Sequence, residues 1–308
     1  MKVRVKSIDR RTHHVRLFEL VDPDGGALPP FAAGAHVEIA TPAGVARPYS
    51  LCSDPADRYR YVVAVLRESA GRGGSKAMHD RVAVGHVLDI SEPRNHFALE
   101  EHGHHWRLIA GGIGATPLVA MAHRLRALGR SFDFHYCARS SDHLAFCDAL
   151  AVLVEPDRLH LHVSDLAGRF EAAHWLGPAR DGQHVYCCGP QPLMDAVEAA
   201  TADWPDGLVH LEQFKAEPAP ESSDFEIELM RSGAVVPVKR TESILVALWK
   251  ANHRVPSSCE IGICGTCRVG CLGGEPDHLD THLSPQERER EILVCVSRSR
   301  SPRLQLDL

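Results

Sequence analysis

The chain has 308 residues, 44% of them hydrophobic, and a formal net charge of −6. That length allows two or three domains of about 100–150 residues, the acidic balance argues against nucleic acid as the main partner, and no apolar run approaches the ~20 residues needed to cross a bilayer. Ten cysteines, in a chain whose residues 1–7 alternate like a strand and not like a signal peptide, point to a cytoplasmic protein that uses thiols as ligands or keeps them reduced.

Residues 1–102 read as antiparallel β structure. Runs at 37–40, 59–66 and 87–90 are separated by turn signals such as Asp22-Pro23-Asp24-Gly25-Gly26 and Pro42-Ala43-Gly44, the pattern of a barrel. Two stretches here suit a flavin. Arg47-Pro48-Tyr49-Ser50-Leu51 ends a strand: Tyr49 can stack on a flat ring, Ser50 can hydrogen-bond its edge, and Arg47 can pair with a phosphate. Gly71-Arg72-Gly73-Gly74-Ser75 is a glycine turn entering a helix, whose free N–H groups suit a phosphate. Either alone is as well explained by an ordinary strand end or turn; together, upstream of a nucleotide fold, they form a pair.

Residues 103–214 alternate strand and helix. Strands are expected at 106–110, 132–137, 159–163 and 184–188, with helices over 118–128, ended by Gly129, and over 145–153. This alternation predicts a doubly wound parallel sheet. The first strand runs into Gly111-Gly112-Ile113-Gly114-Ala115-Thr116-Pro117, where a pyrophosphate can approach the backbone. The lesser alternative is a tight strand-to-helix turn without a ligand. Ligands bind beyond the carboxyl ends of such strands, so Cys188, Gly189 and Pro190 are placed beside a nicotinamide. The cluster His102, His104 and His105 reads as a polar surface turn, and Arg139 as a side chain that can reach a 2′-phosphate.

Residues 215–224 contain two prolines and no apolar periodicity, and read as an interdomain linker. In 225–308, an alternating strand at 225–229 turns at Gly233 into 235–238, and a helix opening at Glu242 or Ser243 runs to Lys250, which fits a β-grasp ferredoxin. A loop with Cys259, Cys264 and Cys267 follows. With Cys295, 28 positions further on, these make C-x4-C-x2-C…C, the plant-type [2Fe–2S] spacing, whose clusters carry one electron near about −400 mV. Gly262 and Gly265 let the backbone wrap such a cluster, and Cys295 is expected on a buried strand. Zinc would ask for a second C-x2-C knuckle, which is missing, and Cys271 reads as a bystander.

In this order, RPYSL, GRGGS, GGIGATP, CCGPQPLM and CEIGICGTC resemble the phthalate dioxygenase reductase family, the class IA Rieske-oxygenase reductases that include vanillate demethylase reductase. The resemblance covers essentially the whole chain. It implies an antiparallel flavin barrel, a parallel α/β nucleotide domain and a C-terminal ferredoxin. It also implies FMN at Arg47, Tyr49, Ser50, Gly73, Gly74 and Ser75. The dinucleotide falls at Gly111, Gly112, Gly114, Thr116, Cys188, Gly189 and Pro190, and Phe214 packs near the flavin. The donor it implies is NADH, with NADPH as the alternative. Electrons would pass through FMN and the cluster to a terminal Rieske oxygenase of aromatic catabolism, with no acid–base residue required. Two other readings are a stand-alone reductase of one-electron acceptors and an iron–sulfur sensor or scaffold; the flavin and nucleotide motifs speak against the last.

Overall fold

In the computed structural model, which describes residues 1–69, 73–214 and 223–308, the N-terminal alternation buries Val3 and Val5 on one face of strand β1 (Lys2–Arg10). Gly71 and Arg72 of the glycine turn, and the expected linker as far as residue 222, lie outside the described residues. The chain divides into two compact units, Met1–Gln213 and Phe214–Leu308.

The first unit continues with β2 (Val15–Val21), β3 (His36–Ala40), β4 (Ala46–Ser50), β5 (Tyr61–Leu66), α1 (Gly74–Arg81) and β6 (Val87–Asp89). Strands β5-β2-β1-β6 form an antiparallel sheet, and β3 and β4 pair as a hairpin. Single bridges Ile39↔Ile90 and Leu51↔Val63 tie hairpin to sheet and give the antiparallel barrel. Strand β2 had no clear sequence signal, because its buried residues Val15, Phe18 and Leu20 break the period of two.

The α/β layer follows as β7 (His105–Gly111), α2 (Ala115–Ala127), β8 (Phe132–Ala138), α3 (Cys147–Leu153), β9 (Leu159–Val163), α4 (Ser164–Ala167), α5 (Ala172–Leu176), β10 (Gln183–Cys188), α6 (Gln191–Ala200) and β11 (Val209–Glu212). All five strands are parallel, in the order β11-β10-β7-β8-β9, as a doubly wound fold requires. Helix α2 starts three residues before its expected position, since Pro117 is tolerated in a first turn. Gly129, at φ +63, ends it with the left-handed conformation that glycine adopts without strain. His105 departs from the surface-turn reading: it lies in β7 with Nε2 2.8 Å from Asp133. One apolar cluster runs from Val3 and Phe18 of the barrel into Leu118 and Met121 of α2, and a second, with Ile109, Val185 and Val197, covers the other face of the sheet.

The second unit comprises β12 (Phe225–Leu229), β13 (Ala234–Val238), α7 (Ile244–Lys250), β14 (Arg268–Gly273), β15 (Pro276–Asp277), α8 (Pro285–Arg288), β16 (Glu291–Leu293), β17 (Arg298–Ser299) and β18 (Arg303–Leu306). Its main sheet has the order β13-β12-β18-β14-β16, with β12 and β18 parallel, and this is the β-grasp. Ser243 caps α7 by accepting a hydrogen bond from Val246 N at 3.3 Å. The helix buries Ile244, Leu245 and Leu248 against Ile227, Leu304 and Ile292, so this unit has a core of its own. Among the described residues, no helix is long and apolar enough to cross a membrane.

Candidate functional site

The β3–β4 hairpin brings Arg47 to the start of α1. A Cβ added at Gly74 would lie 3.1 Å from Arg47 Cγ, so the guanidinium stem packs directly on the helix entrance. Gly73, at φ +84, caps that helix with open space where a side chain would stand, leaving its backbone approachable. Tyr49 is half-buried on the same strand. Its Oη is buried, yet has no hydrogen-bond partner among the described residues. Burial pushes the phenol up to about 12, only partly offset by Arg47, so it stays neutral and can donate. A buried donor without a partner is costly and marks a place for an acceptor. Ser50 is buried beside it, while Ser75 Oγ accepts from Glu68 N at 3.0 Å and closes the turn. Cation, helix entrance and orphaned phenol fit a flavin phosphate and ring.

The order in which the chain lays down the parallel strands reverses between β7 and β10, and the glycines stand at that switch point. A Cβ on Gly114 would meet Cys188 O at 2.1 Å, and one on Gly111 would meet Pro190 Cδ at 2.5 Å. These two glycines are therefore demanded by the neighbouring turn, whatever binds. Gly112 differs: at φ +54 it faces open space, and its backbone is the part of the motif a pyrophosphate can reach. Thr116 Oγ1 donates to Ile113 O at 3.0 Å and braces the turn. Cys188 is fully buried, and burial holds its thiol well above the ordinary range. Phe214, expected beside the flavin, opens the second unit and is 40% exposed.

Sequence reasoning missed Glu212. It ends β11 directly opposite Cys188, and its Oε2 is buried without a partner among the described residues. Burial raises its carboxyl to about 8. Only strand order puts an acid there, because E-Q-F has no chemistry of its own. The unfolded chain ionises Glu212 near its ordinary value, while the folded chain holds the proton up to about 8. Stability is therefore lost as pH rises between these limits, at about 1.4 kcal/mol per unit. Glu212→Gln should flatten the fall in unfolding temperature between pH 5 and 8. Parallel curves for variant and wild type would remove this reading.

In the second unit the four cysteines come together as two pairs. Cys259 hydrogen-bonds Cys264, and Cys267 hydrogen-bonds Cys295. Backbone N–H groups of Ile261 and Ile263 reach Cys259, that of Thr266 reaches Cys264 and that of Gly262 reaches Cys295, each favouring the thiolate. This needs the left-handed conformations of Glu260, Gly262 and Gly265. Cys295 is not on a strand, as the sequence suggested, but in the turn after β16, since the chain must bend there to point the thiol at Cys267. Among the described residues no three His, Cys, Asp or Glu side chains close on one ion position. The two thiol pairs suit two irons held by a pair of thiolates each. Cys271 lies apart, on β14.

A second feature absent from the sequence reading holds this loop. Asp280, with its side chain fully buried, accepts from Leu283 N at 2.9 Å and His282 N at 3.2 Å. Its Cα would stand 3.1 Å from a Cβ on Gly262, and His282 Nε2 2.3 Å from one on Gly265. Residues 280–282 thus form the wall against which the cysteine loop is folded.

A family model described as the 2Fe-2S iron-sulfur cluster binding domain matches residues 227–300. The chain is 43% identical, over 100% of its length and 97% of the other's, to phthalate dioxygenase reductase of Burkholderia cepacia. It is 41% identical, over 94% of each, to vanillate O-demethylase oxidoreductase of a Pseudomonas species. A solved structure of phthalate dioxygenase reductase, described as modular for electron transfer from pyridine nucleotides to [2Fe-2S], superposes with a TM-score of 0.80 at 42% identity, covering 100% of this chain and 98% of that one.

Proposed function

The chain belongs to the phthalate dioxygenase reductase family, and from that premise we propose that it is the NADH-dependent reductase component of a Rieske-type oxygenase system, delivering electrons to a terminal oxygenase. The observation that carries this is the two-and-two arrangement of the cysteines. It suits a one-electron carrier, and in a chain with a dinucleotide switch point a flavin must stand between. Bound FMN supplies the splitting of a hydride into single electrons, and a bound [2Fe–2S] cluster supplies the one-electron exit.

The chain's own residues hold and orient. Arg47 and the N–H groups at the start of α1, with Gly73, Gly74 and Ser75, take the flavin phosphate; Tyr49 gives its ring a wall and a neutral donor, and Ser50 a hydrogen bond. The open backbone at Gly112 takes the pyrophosphate of NADH. Gly111 and Gly114 let that turn sit against Cys188, Gly189 and Pro190, where the nicotinamide is placed. The N–H groups around Cys259, Cys264 and Cys295 stabilise thiolate charge and help set the cluster's potential. We assign residues 1–102 to the flavin, 103–214 to the dinucleotide and 225–308 to the cluster, and place the protein in the cytoplasm, where the six cysteines outside the cluster set stay reduced.

Extracting the purified protein and measuring flavin, iron and acid-labile sulfide tests the cofactors: one FMN, two irons and two sulfides per chain are expected. FAD, or zinc in place of iron, would overturn the corresponding half.

A further inference from the structure

The loop that carries Cys259, Cys264 and Cys267 can face a cluster with either side of its peptides. An N–H turned toward the sulfurs offsets the extra negative charge of the reduced state, and a carbonyl turned inward opposes it. What holds each peptide therefore bears on the potential.

His282 holds one of them from outside. Its Nδ1 lies 3.1 Å from Ile263 O, and its Nε2 lies 3.3 Å from Arg268 Nη2. A carbonyl only accepts and a guanidinium only donates, so the ring carries its proton on Nδ1 and offers its lone pair at Nε2. Arg268 is itself held, with Nη1 3.1 Å from both Glu287 Oε1 and Glu291 Oε2. The ring lies over Gly265, where three of its atoms would stand within 2.8 Å of an added Cβ. Ile263 precedes Cys264 and Arg268 follows Cys267, so this chain of hydrogen bonds spans the ligand loop. It does so on the solvent side, because His282 and Arg268 are both exposed.

The peptide bond is planar and trans, with its N–H opposed to its carbonyl. With Ile263 O turned out to His282, the N–H of Cys264 on the same peptide points the other way, into the loop. Water could satisfy an exposed carbonyl nearly as well, so the bond matters little for stability. What it decides is which face of the peptide looks inward.

We infer that His282, kept in its Nδ1–H tautomer by Arg268, is a positioning residue that fixes the Ile263–Cys264 peptide with its N–H toward the cluster and thereby raises the cluster's reduction potential. This rests on the [2Fe–2S] cluster assigned to the four cysteines above.

The test uses the full-length protein with its cofactors, as wild type, His282→Asn and His282→Leu. Asparagine puts an amide N–H close to where the Nδ1–H stands; leucine has nearly the same size and no donor. Two readouts are taken: iron and acid-labile sulfide per chain, and the midpoint potential of the cluster from the EPR signal of its reduced form in a redox titration. His282→Asn should keep the wild-type potential. His282→Leu should shift the one-electron equilibrium about tenfold against reduction, or about 59 mV. Iron lost from His282→Leu and retained in His282→Asn would support the same role for the donor, exerted already on assembly. His282→Leu with full iron at the wild-type potential, or both variants altered alike, would overturn the inference. A wild type without two irons and two labile sulfides per chain would instead remove the cluster reading beneath it.

Discussion

Cys295→Ser should abolish NADH-driven reduction of cytochrome c, a one-electron protein acceptor, and leave reduction of an artificial dye largely intact. Cys295 is almost fully buried in the turn after β16, and its thiol pairs with Cys267. The segment is held to the cysteine loop through Val294 N, which donates to Cys267 O at 3.3 Å. Serine offers a harder oxygen ligand whose hydroxyl is far less acidic than a thiol, so iron should be lost or its potential moved. The damage should stop at the second unit, which has its own apolar core, whereas the strand proposed for the flavin and the turns proposed for the dinucleotide belong to the first. Entry of the hydride and exit of single electrons would thereby be separated. Cytochrome c reduction at the wild-type rate, with iron lost, would show that electrons leave by another route.

Gly114→Ala is expected to be nearly as damaging, for a different reason. Gly114 has ordinary helical φ, so alanine brings no backbone strain; it brings a methyl group 2.1 Å from Cys188 O and 2.9 Å from Gly189 N. Both are backbone atoms, at the last residue of the buried strand β10 and the residue after it, and neither can rotate away. Overpacking of this kind costs about 1–3 kcal/mol where the surroundings can yield, and more where they cannot. The two turns forced apart are those between which the dinucleotide is proposed to bind. A displacement of about 1 Å at a reacting centre can cost on the order of 100-fold in rate. We therefore expect a marked drop in unfolding temperature and a fall of that order in NADH oxidation, while iron content stays at the wild-type level. Wild-type NADH kinetics in a stably folded Gly114→Ala would mean that the two turns do not need this approach.

Much of the fold and the site was legible in the residues alone, wherever the information is local. Cys259, Cys264 and Cys267 lie within nine residues, so their spacing itself specifies a ligand set. The strands at 159–163 and 225–229 carry enough apolar and β-branched residues to be read where they stand. Gly129 and Ser243 mark helix ends through backbone conformation and a single hydroxyl, which need no distant partner. The order of the motifs along the chain is likewise local information, and it is the basis for proposing flavin, dinucleotide and cluster sites in that order.

What only the tertiary structure decided depends on which strands become neighbours. Glu212 is an unremarkable glutamate until β11 pairs with β10, sets it opposite Cys188 and removes water from its carboxyl. Gly111 and Gly114 look in sequence like phosphate-binding glycines, yet they are required by the 188–190 turn across the switch point, and Gly112 alone is left open. Arg139 and Asp165, far apart along the chain, meet because β8 and β9 are adjacent and parallel. Asp280 and His282 become the wall of the cysteine loop only when residues 280–282 fold back against Gly262 and Gly265. Spacing along the chain specifies a donor set because the atoms involved lie within one loop's reach. Burial, orphaned hydrogen bonds and close backbone approach arise between segments brought together by folding, and no single segment encodes them.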